Sequence, residues 1–466
     1  MNRFTWAVIR FLSAALFAQL CLGDALALEA VPEWTVMIYI NGNNDLEHAA
    51  ECNFLQMLQM SKQENLKLLV ELSFVGSDPL SSGGVLQPDC SSFRNSSPGQ
   101  IRYWAGPRRF EISDHKLIGI EIPNAQDLRS RDALQEFLQW CFGKSKSHRY
   151  ILVMWDHGDA NPSPPLPFFQ DSLFRFLNPA GFNSSAIPPI SPLDFHRTHD
   201  SPLVGMYQEN GEYFLSNQDI VASVTTSFAR KLDVIAFDAC YKAMLENLYP
   251  LQEAADIFAG SEASEPSEGW NYAEFLQRLG TNANATNEEV GGMIVQSFRQ
   301  NYDSIRPAWS TQSAAKLSNL PDLIKSVDAL AEELMKNSTR FTVVQAVRSH
   351  ILDYQFNQID LERFSSMLAT ESQSTDPPLA LAAAELYNKL RNIIIRPPYA
   401  GIDSSRDYGS GGLAIYFPAS QAEFDSDANR EAYDLSKPSA IPFVQQHQSW
   451  MHFLTAYLKS NANIGP

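Results

Sequence analysis

The sequence predicts an α/β fold built on a mainly parallel sheet, and three observations carry that reading. Its strand candidates are short apolar runs without polar alternation, the pattern of strands covered on both faces. They alternate with segments of helical spacing. Two of the runs, residues 151–155 and 232–237, end alike, in Asp156-His157-Gly158 and in Asp238-Ala239-Cys240. A parallel sheet gathers its strand ends at one edge, and ligands bind at the carboxyl edge. His157 and Cys240 can therefore stand side by side although 83 positions separate them.

Residues 34–40 read as the first strand. The turn Asn41-Gly42-Asn43-Asn44 follows, and Asn44 with Glu47 three residues on is a helix-start signature. Leu46, Ala49, Ala50, Phe54, Met57 and Leu58 keep helical spacing. Residues 68–75 form the second strand, and a Gly/Ser/Pro-rich excursion spans 77–100. Short strands are expected near 101–104 and over 116–122, then a helix over 131–141 that leads into the strand ending at His157. Residues 159–215 break the pattern. They are rich in Pro, Asn and Ser, and loops longer than about 12–15 residues are usually functional or disordered. Ser216 with Asp219 opens a helix to Phe228. The strand ending at Cys240 comes next, then a helix from Tyr241 onward, a strand over 257–260 and the acidic loop 261–269. From about Glu288 the chain is mostly amphipathic helix, with spans at 321–335, 379–393 and 442–458. One late strand over 412–417 is free to join the main sheet at its edge. The domain reading is a leader at 1–27, a catalytic domain at 28–287 with the long insertion 159–215, and a mostly helical region at 288–466 packed on it.

Composition excludes several classes. Of 466 residues, 44% are hydrophobic and 19% charged, as in ordinary globular proteins. Arg3 and Arg10, the apolar stretch 11–22 and Ala25-Leu26-Ala27 have the form of a cleavable export signal, which makes the mature chain secreted or periplasmic. No later stretch reaches the roughly 18 apolar residues of a membrane span. A net charge of −18 argues against nucleic acid and anionic membranes as partners. Cys52, Cys90, Cys141 and Cys240 are too few for a disulfide scaffold. Cys141 keeps step with Leu134, Phe137 and Leu138 and reads as core. A Cys52–Cys90 bridge is open to the chain in an oxidising compartment.

A thiol beside an imidazole is the minimum equipment for cysteine nucleophilic catalysis. Cys240 is expected just before a helix, whose positive N-terminal field favours the thiolate. His157 is placed to protonate the leaving group. Gly158 leaves room for substrate, and its backbone N–H with that of Cys240 forms a candidate oxyanion hole. Asp238 lies two residues before Cys240 and on the same strand face. It either binds a basic substrate side chain or braces the turn. Glu262, Glu265 and Glu268 sit on the loop after the next strand, at the same sheet edge.

These segments resemble the clostripain family of cysteine peptidases, in the caspase/gingipain-like clan. The resemblance rests on Trp34-Thr35-Val36-Met37-Ile38-Tyr39 with Asn44-Asp45-Leu46-Glu47, on Trp155-Asp156-His157-Gly158, on Phe237-Asp238-Ala239-Cys240, and on Ser261-Glu262 through Gly269-Trp270. It covers roughly residues 33–275 well and the remainder loosely. It implies a caspase-like three-layer sandwich and a His157/Cys240 dyad. It also implies cleavage after Arg or Lys, read by an acidic pocket to which Asp238 contributes, with Glu268 near the family's further acid. Family members are often precursors that cut themselves, and some need calcium; no other cofactor or metal is implied. The chain departs from the family in the long, proline-rich stretch 159–215, which carries Arg175 and Arg197.

Two other readings compete. A peptidase-like binding protein would keep the fold without the chemistry, and an intact His157 and Cys240 argue against it. A metal-dependent hydrolase would use Asp156, His157 and Asp159, but His196 and His199 lie in the irregular stretch and no second ligand cluster stands out.

Overall fold

The apolar runs pair side by side, as strands that bury both faces must. The computed structural model describes residues 31–44, 46–74, 104–124, 127–159, 205–206, 215–303, 310–354, 357–395, 399–400, 410–427, 429–437 and 440–461. The expected leader, the 77–100 excursion and most of 159–215, with Arg175 and Arg197, lie outside them. Pro32–Pro466 forms one compact unit.

In chain order come β1 (Trp34–Gly42), α1 (Glu47–Met57), β2 (Leu66–Phe74), β3 (Gly106–Ser113), β4 (Lys116–Glu121), α2 (Arg131–Lys144) and β5 (Arg149–Trp155). The two-residue strands β6 (Gly158–Asp159) and β7 (Gly205–Met206) pair with each other. Then follow α3 (Asn217–Ser227), β8 (Leu232–Asp238), α4 (Leu245–Leu251), β9 (Ala255–Gly260), α5 (Tyr272–Thr281), α6 (Asn287–Tyr302) and β10 (Thr311–Lys316). The remainder is mainly helical: α7 (Leu320–Met335), α8 (Arg340–Arg348), β11 (Gln358–Asp360), α9 (Leu361–Ser372), α10 (Pro377–Ile393), β12 (Tyr399–Ala400), β13 (Ala414–Tyr416), α11 (Gln421–Ser426), α12 (Pro442–Gln446) and α13 (Ser449–Asn461).

The main sheet runs β12-β10-β9-β8-β5-β1-β2-β3-β4. Its five central strands are parallel. Antiparallel pairs flank them, β10 and β12 on one side and β3 and β4 on the other. Side chains alternate between the two faces. Met37 and Tyr39 of β1 join Leu134 of α2, Ile220 of α3, Leu248 of α4 and Leu323 of α7. Val36, Ile38 and Ile40 join Phe54 of α1, Phe275 of α5 and Phe298 of α6. Each such side chain contributes about 1.5–3 kcal/mol by burial, so helices on both faces are the economical solution. The result is the three-layer sandwich expected. The first core continues through α7 into α8, α9, α10 and α13.

One capping signal holds and one does not: Asn44 and Glu47 form no capping box, since α1 begins at Glu47 with Leu46 at its N-cap and no side-chain cap. Ser216 and Asp219 form a reciprocal capping box on α3, and Cys141 is buried in α2. Three other expectations differ. β13 pairs with β11 in a small separate sheet and adds no strand to the main one. On that side the sheet is extended instead by β10 and β12, and the β10 sequence Thr-Gln-Ser-Ala-Ala-Lys has no strand-like apolar run. The helix expected at 442–458 breaks into α12 and α13 at His447, whose ring stacks on Phe443 and whose Nδ1 lies 2.9 Å from Asp328. The helix after Cys240 begins at Leu245, four residues later than expected. Among the described residues no helix is long and apolar enough to cross a membrane, and no group of three or more His, Cys, Asp or Glu is placed to hold a metal ion.

Candidate active site

Strand register brings the two reactive ends together. β5 and β8 pair Met154 with Phe237 and Trp155 with Asp238. His157 and Cys240 each follow the last pair by two residues, on neighbouring strand ends at the carboxyl edge.

The His157 end is held by side-chain amides. Asp156 is buried, and its carboxylate accepts from Asn41 Nδ2 and Asn44 Nδ2 at 2.7 Å each and from the His157 backbone N–H at 2.7 Å. Burial pushes the Asp156 carboxyl up to about 7, while the charge of His157 and these donors pull it back. Asn44 thus ties the end of β1 to that of β5. Its Oδ1 also accepts from Leu46 N–H at 2.9 Å, and Leu46 caps α1. Because Asp156 turns both oxygens toward N–H donors, it is poorly placed to share an ion with His157.

The Cys240 end is held by backbone. Cys240 is half-buried and outside any disulfide, whereas Cys52 is disulfide-bonded and the Cys90 of the expected bridge lies outside the described residues. Tyr241 adopts φ +55°, a left-handed conformation that costs an L-residue about 1–2 kcal/mol. The turn is fixed by Tyr241 N–H to Ala263 C=O at 3.0 Å and Ala243 N–H to Ser261 C=O at 2.8 Å. It replaces the expected helix N-terminus beside the thiol. The backbone N–H of Glu265 donates to Cys240 Sγ at 3.1 Å, and the sulfur also faces the Glu265 carbonyl at 3.8 Å.

Two acids belong to the segments that carry the thiol and its N–H partner, Asp238 and Glu265. Asp238 is buried, and its Oδ2 accepts from Tyr272 O–H at 2.8 Å and Trp270 N–H at 3.3 Å. Burial pushes it up to about 7 against those two bonds. Glu265 Oε1 accepts from Gln312 Nε2 at 2.9 Å and Trp270 Nε1 at 3.3 Å, and its Oε2 is buried without a partner. Burial first, then the charge of Asp238, raises the Glu265 carboxyl well above its ordinary range. Among the described residues neither acid is paired with a Lys, Arg or His. Gly269 closes over Asp238 with φ +59°, and a Cβ there would come within 2.6 Å of Asp238 Oδ2. Glu268 is exposed on the same loop, and its carbonyl accepts from Asn53 Nδ2 at 2.9 Å. The Asn53 Oδ1 in turn accepts from Trp155 Nε1 at 2.8 Å, so α1 links the His157 strand to the acidic loop. Gly158, the other expected oxyanion donor, opens β6 directly after His157.

A family model described as the clostripain family matches residues 200–457. The chain belongs to the clostripain family. It is therefore a cysteine peptidase by family. Three solved structures share the fold across almost the whole chain. One is an inactive zymogen of a C11 protease from Parabacteroides distasonis, 16% identical with a TM-score of 0.54, covering 91% of this chain and 99% of that one. Another is a secreted C11 cysteine protease from Bacteroides thetaiotaomicron in complex with an irreversible peptide inhibitor, 17% identical with a TM-score of 0.55, covering 92% and 99%. The third, from the same organism and called iotapain, is 14% identical with a TM-score of 0.57, covering 91% and 100%. No curated protein matches the chain. At these identities the likeness is one of fold.

Sequence reasoning did not reach Tyr272, Asn41, Gln312 or Thr311, and noted Glu265 only as part of an acidic loop. All four meet the site through side-chain bonds spanning at least 34 residues. No local pattern encodes such a contact.

Proposed function

We propose that this chain is an exported cysteine endopeptidase that cleaves after arginine or lysine. Cys240 Sγ, as thiolate, attacks the carbonyl carbon of the scissile bond. The backbone N–H groups of Gly158 and Cys240 receive the oxyanion. His157 gives its proton to the leaving amine, and the C–N bond breaks to leave an acyl-enzyme. His157 then takes a proton from water, whose oxygen attacks the thioester and returns Cys240 to its thiolate. The observation that carries this reading is the β5–β8 register, which sets His157 and Cys240 beyond the same strand pair.

Asp238 and Glu265 supply the selectivity for a cation. Both are held by donors too weak to neutralise them, and a guanidinium or ammonium would satisfy the open Glu265 oxygen. Glu268 stands on the same loop as the outer acid. Export rests on the leader at 1–27. The stretch 159–215 joins the two catalytic strands, and a cut after Arg175 or Arg197 would leave two fragments joined through the sheet.

A lysine- or arginine-bearing, thiol-directed peptide probe tests the core of this reading. It is expected to label Cys240 alone, and Cys240→Ala is expected to lose hydrolysis while keeping its fold. Label on another residue, or full activity in Cys240→Ala, would leave a binding protein with a peptidase fold as the better reading. Equal labelling by a neutral probe would reject the basic preference. Intact mass after incubation, native protein against Cys240→Ala, shows whether the chain cuts itself after Arg175 or Arg197.

A further inference from the structure

The segment Ser261–Glu265 both braces the turn after Cys240 and presents the N–H that meets its sulfur. Among the groups that hold that segment, one buried hydroxyl, from a strand 71 positions beyond Cys240, takes both the Glu262 and the Ala263 N–H. Thr311 is 1% exposed. Its Oγ1 accepts from Glu262 N–H at 2.9 Å and from Ala263 N–H at 3.1 Å, and it lies 2.9 Å from Ser261 Oγ. With two N–H groups on the oxygen, its own hydrogen is left for Ser261 Oγ, and Ser261 Oγ donates onward to Ala263 C=O at 2.9 Å. That same Ala263 carbonyl accepts from Tyr241 N–H, the residue after the nucleophile. The neighbouring Gln312 Nε2 fixes the Glu265 carboxylate.

We infer that Thr311 is a positioning residue for the peptidase reaction: its hydroxyl sets the Ser261–Glu265 segment so that the Glu265 N–H points at Cys240 Sγ. The inference rests on Cys240 as nucleophile. A backbone N–H aimed at sulfur favours thiolate over thiol, the task usually given to a helix N-terminus or a cationic neighbour. Here the helix starts too late to do so. A hydroxyl suits the post because it can accept from two N–H groups and still donate. Valine has nearly the same shape and can do neither.

The test is the pH dependence of iodoacetamide alkylation at Cys240, followed by peptide mass, with kcat and KM on an Arg substrate. Thr311→Val is expected to move the alkylation profile to higher pH and to lower both alkylation and kcat near neutral pH by about tenfold, the effect of a thiol pKa raised by about one unit. KM stays near the native value. Thr311→Ser keeps the hydroxyl and is expected to restore the native profile. A native profile in folded Thr311→Val overturns the inference. If Thr311→Val does not fold, Ser261→Ala decides on the same readout: a profile shifted upward supports the relay, and an unshifted one overturns it. Failure of Cys240 as nucleophile shows separately, as activity that survives in Cys240→Ala.

Discussion

The two strand ends of the site are secured by different means. At His157 the fastening is an acid: Asp156 gathers two asparagine amides and a backbone N–H, all from residues within the first 157 positions. At Cys240 it is a strained turn laid against a loop, with backbone pairs, the Thr311 hydroxyl, the Asn247 amide and a Tyr241–Ser264 hydroxyl pair among the bonds. An amide lost from a three-donor set leaves two others in place. A turn that carries a left-handed residue starts with about 1–2 kcal/mol of strain, so the Cys240 end is the more sensitive of the two to a lost bond.

The largest break expected is at Gly269. Its carbonyl is held by Tyr302 O–H at 3.0 Å and Asn301 Nδ2 at 2.9 Å, so the residue cannot rotate away. Gly269→Ala adds about 1–2 kcal/mol of left-handed strain and overlaps the Asp238 carboxylate. We expect kcat/KM on Arg substrates to fall by more than about 100-fold, allowing for both effects. A near-native value would mean that the loop does not close over Asp238 during the reaction.

Asp238→Asn comes next. A hydrogen bond to a charged group is worth about 1.5–3 kcal/mol, a loss of roughly 10–150-fold on basic substrates. Its pH signature follows from burial, which pushes Asp238 up to about 7. Below that the carboxyl is neutral and attracts a cation poorly, so KM for Arg substrates is expected to rise as pH falls below about 7, and Asp238→Asn to flatten the rise. Native-like KM in the variant would pass the role to Glu265.

Asn44→Ala probes the His157 end. One of three donors to Asp156 is removed, a net cost of about 0.5–1.5 kcal/mol. A fall in kcat of less than about tenfold is expected, with KM unchanged. A loss as deep as that of Gly269→Ala would erase the contrast between the two ends.

The smallest effect expected is on stability alone. Glu246, in the first turn of α4, is buried, accepts from Tyr416 N–H at 3.0 Å and has a second oxygen without a partner. Burial pushes it up to about 7, above its unfolded value. Its stabilising share is therefore complete at acid pH and lost as pH climbs from the usual carboxylate range to about 7. Glu246→Gln is expected to flatten the dependence of Tm on pH over roughly pH 5 to 8. An unchanged slope would show that Glu246 ionises as freely folded as unfolded.

The parts of the molecule legible in the sequence are those that one segment decides. Residues 34–40, 151–155 and 232–237 announce buried strands by apolar composition, and the edge at which they end follows from parallel pairing. Ser216 and Asp219 announce a cap because both partners lie within one turn. β3, with Pro107, Arg108 and Arg109, does not announce itself, because Arg109 is buried only through Glu71, on β2, and Glu136, on α2. β10 is hidden for a related reason: Ser313 and Thr311 are strand residues only because β9 and the segment after it absorb their hydroxyls. The delayed start of α4 is not legible, because Tyr241, Lys242 and Ala243 suit a helix locally and pairing with 261–263 overrides that preference.

The fastening by Thr311 has a consequence for synthesis. A ribosome makes His157, Cys240 and the whole acidic loop before it reaches residue 311. Until then the N–H groups of Glu262 and Ala263 lack the Thr311 oxygen, and the loop lacks one of the braces that set it against the sulfur. The cutting edge is thus completed from the far end of the chain, and a truncated product would carry every reactive side chain without the Thr311 brace.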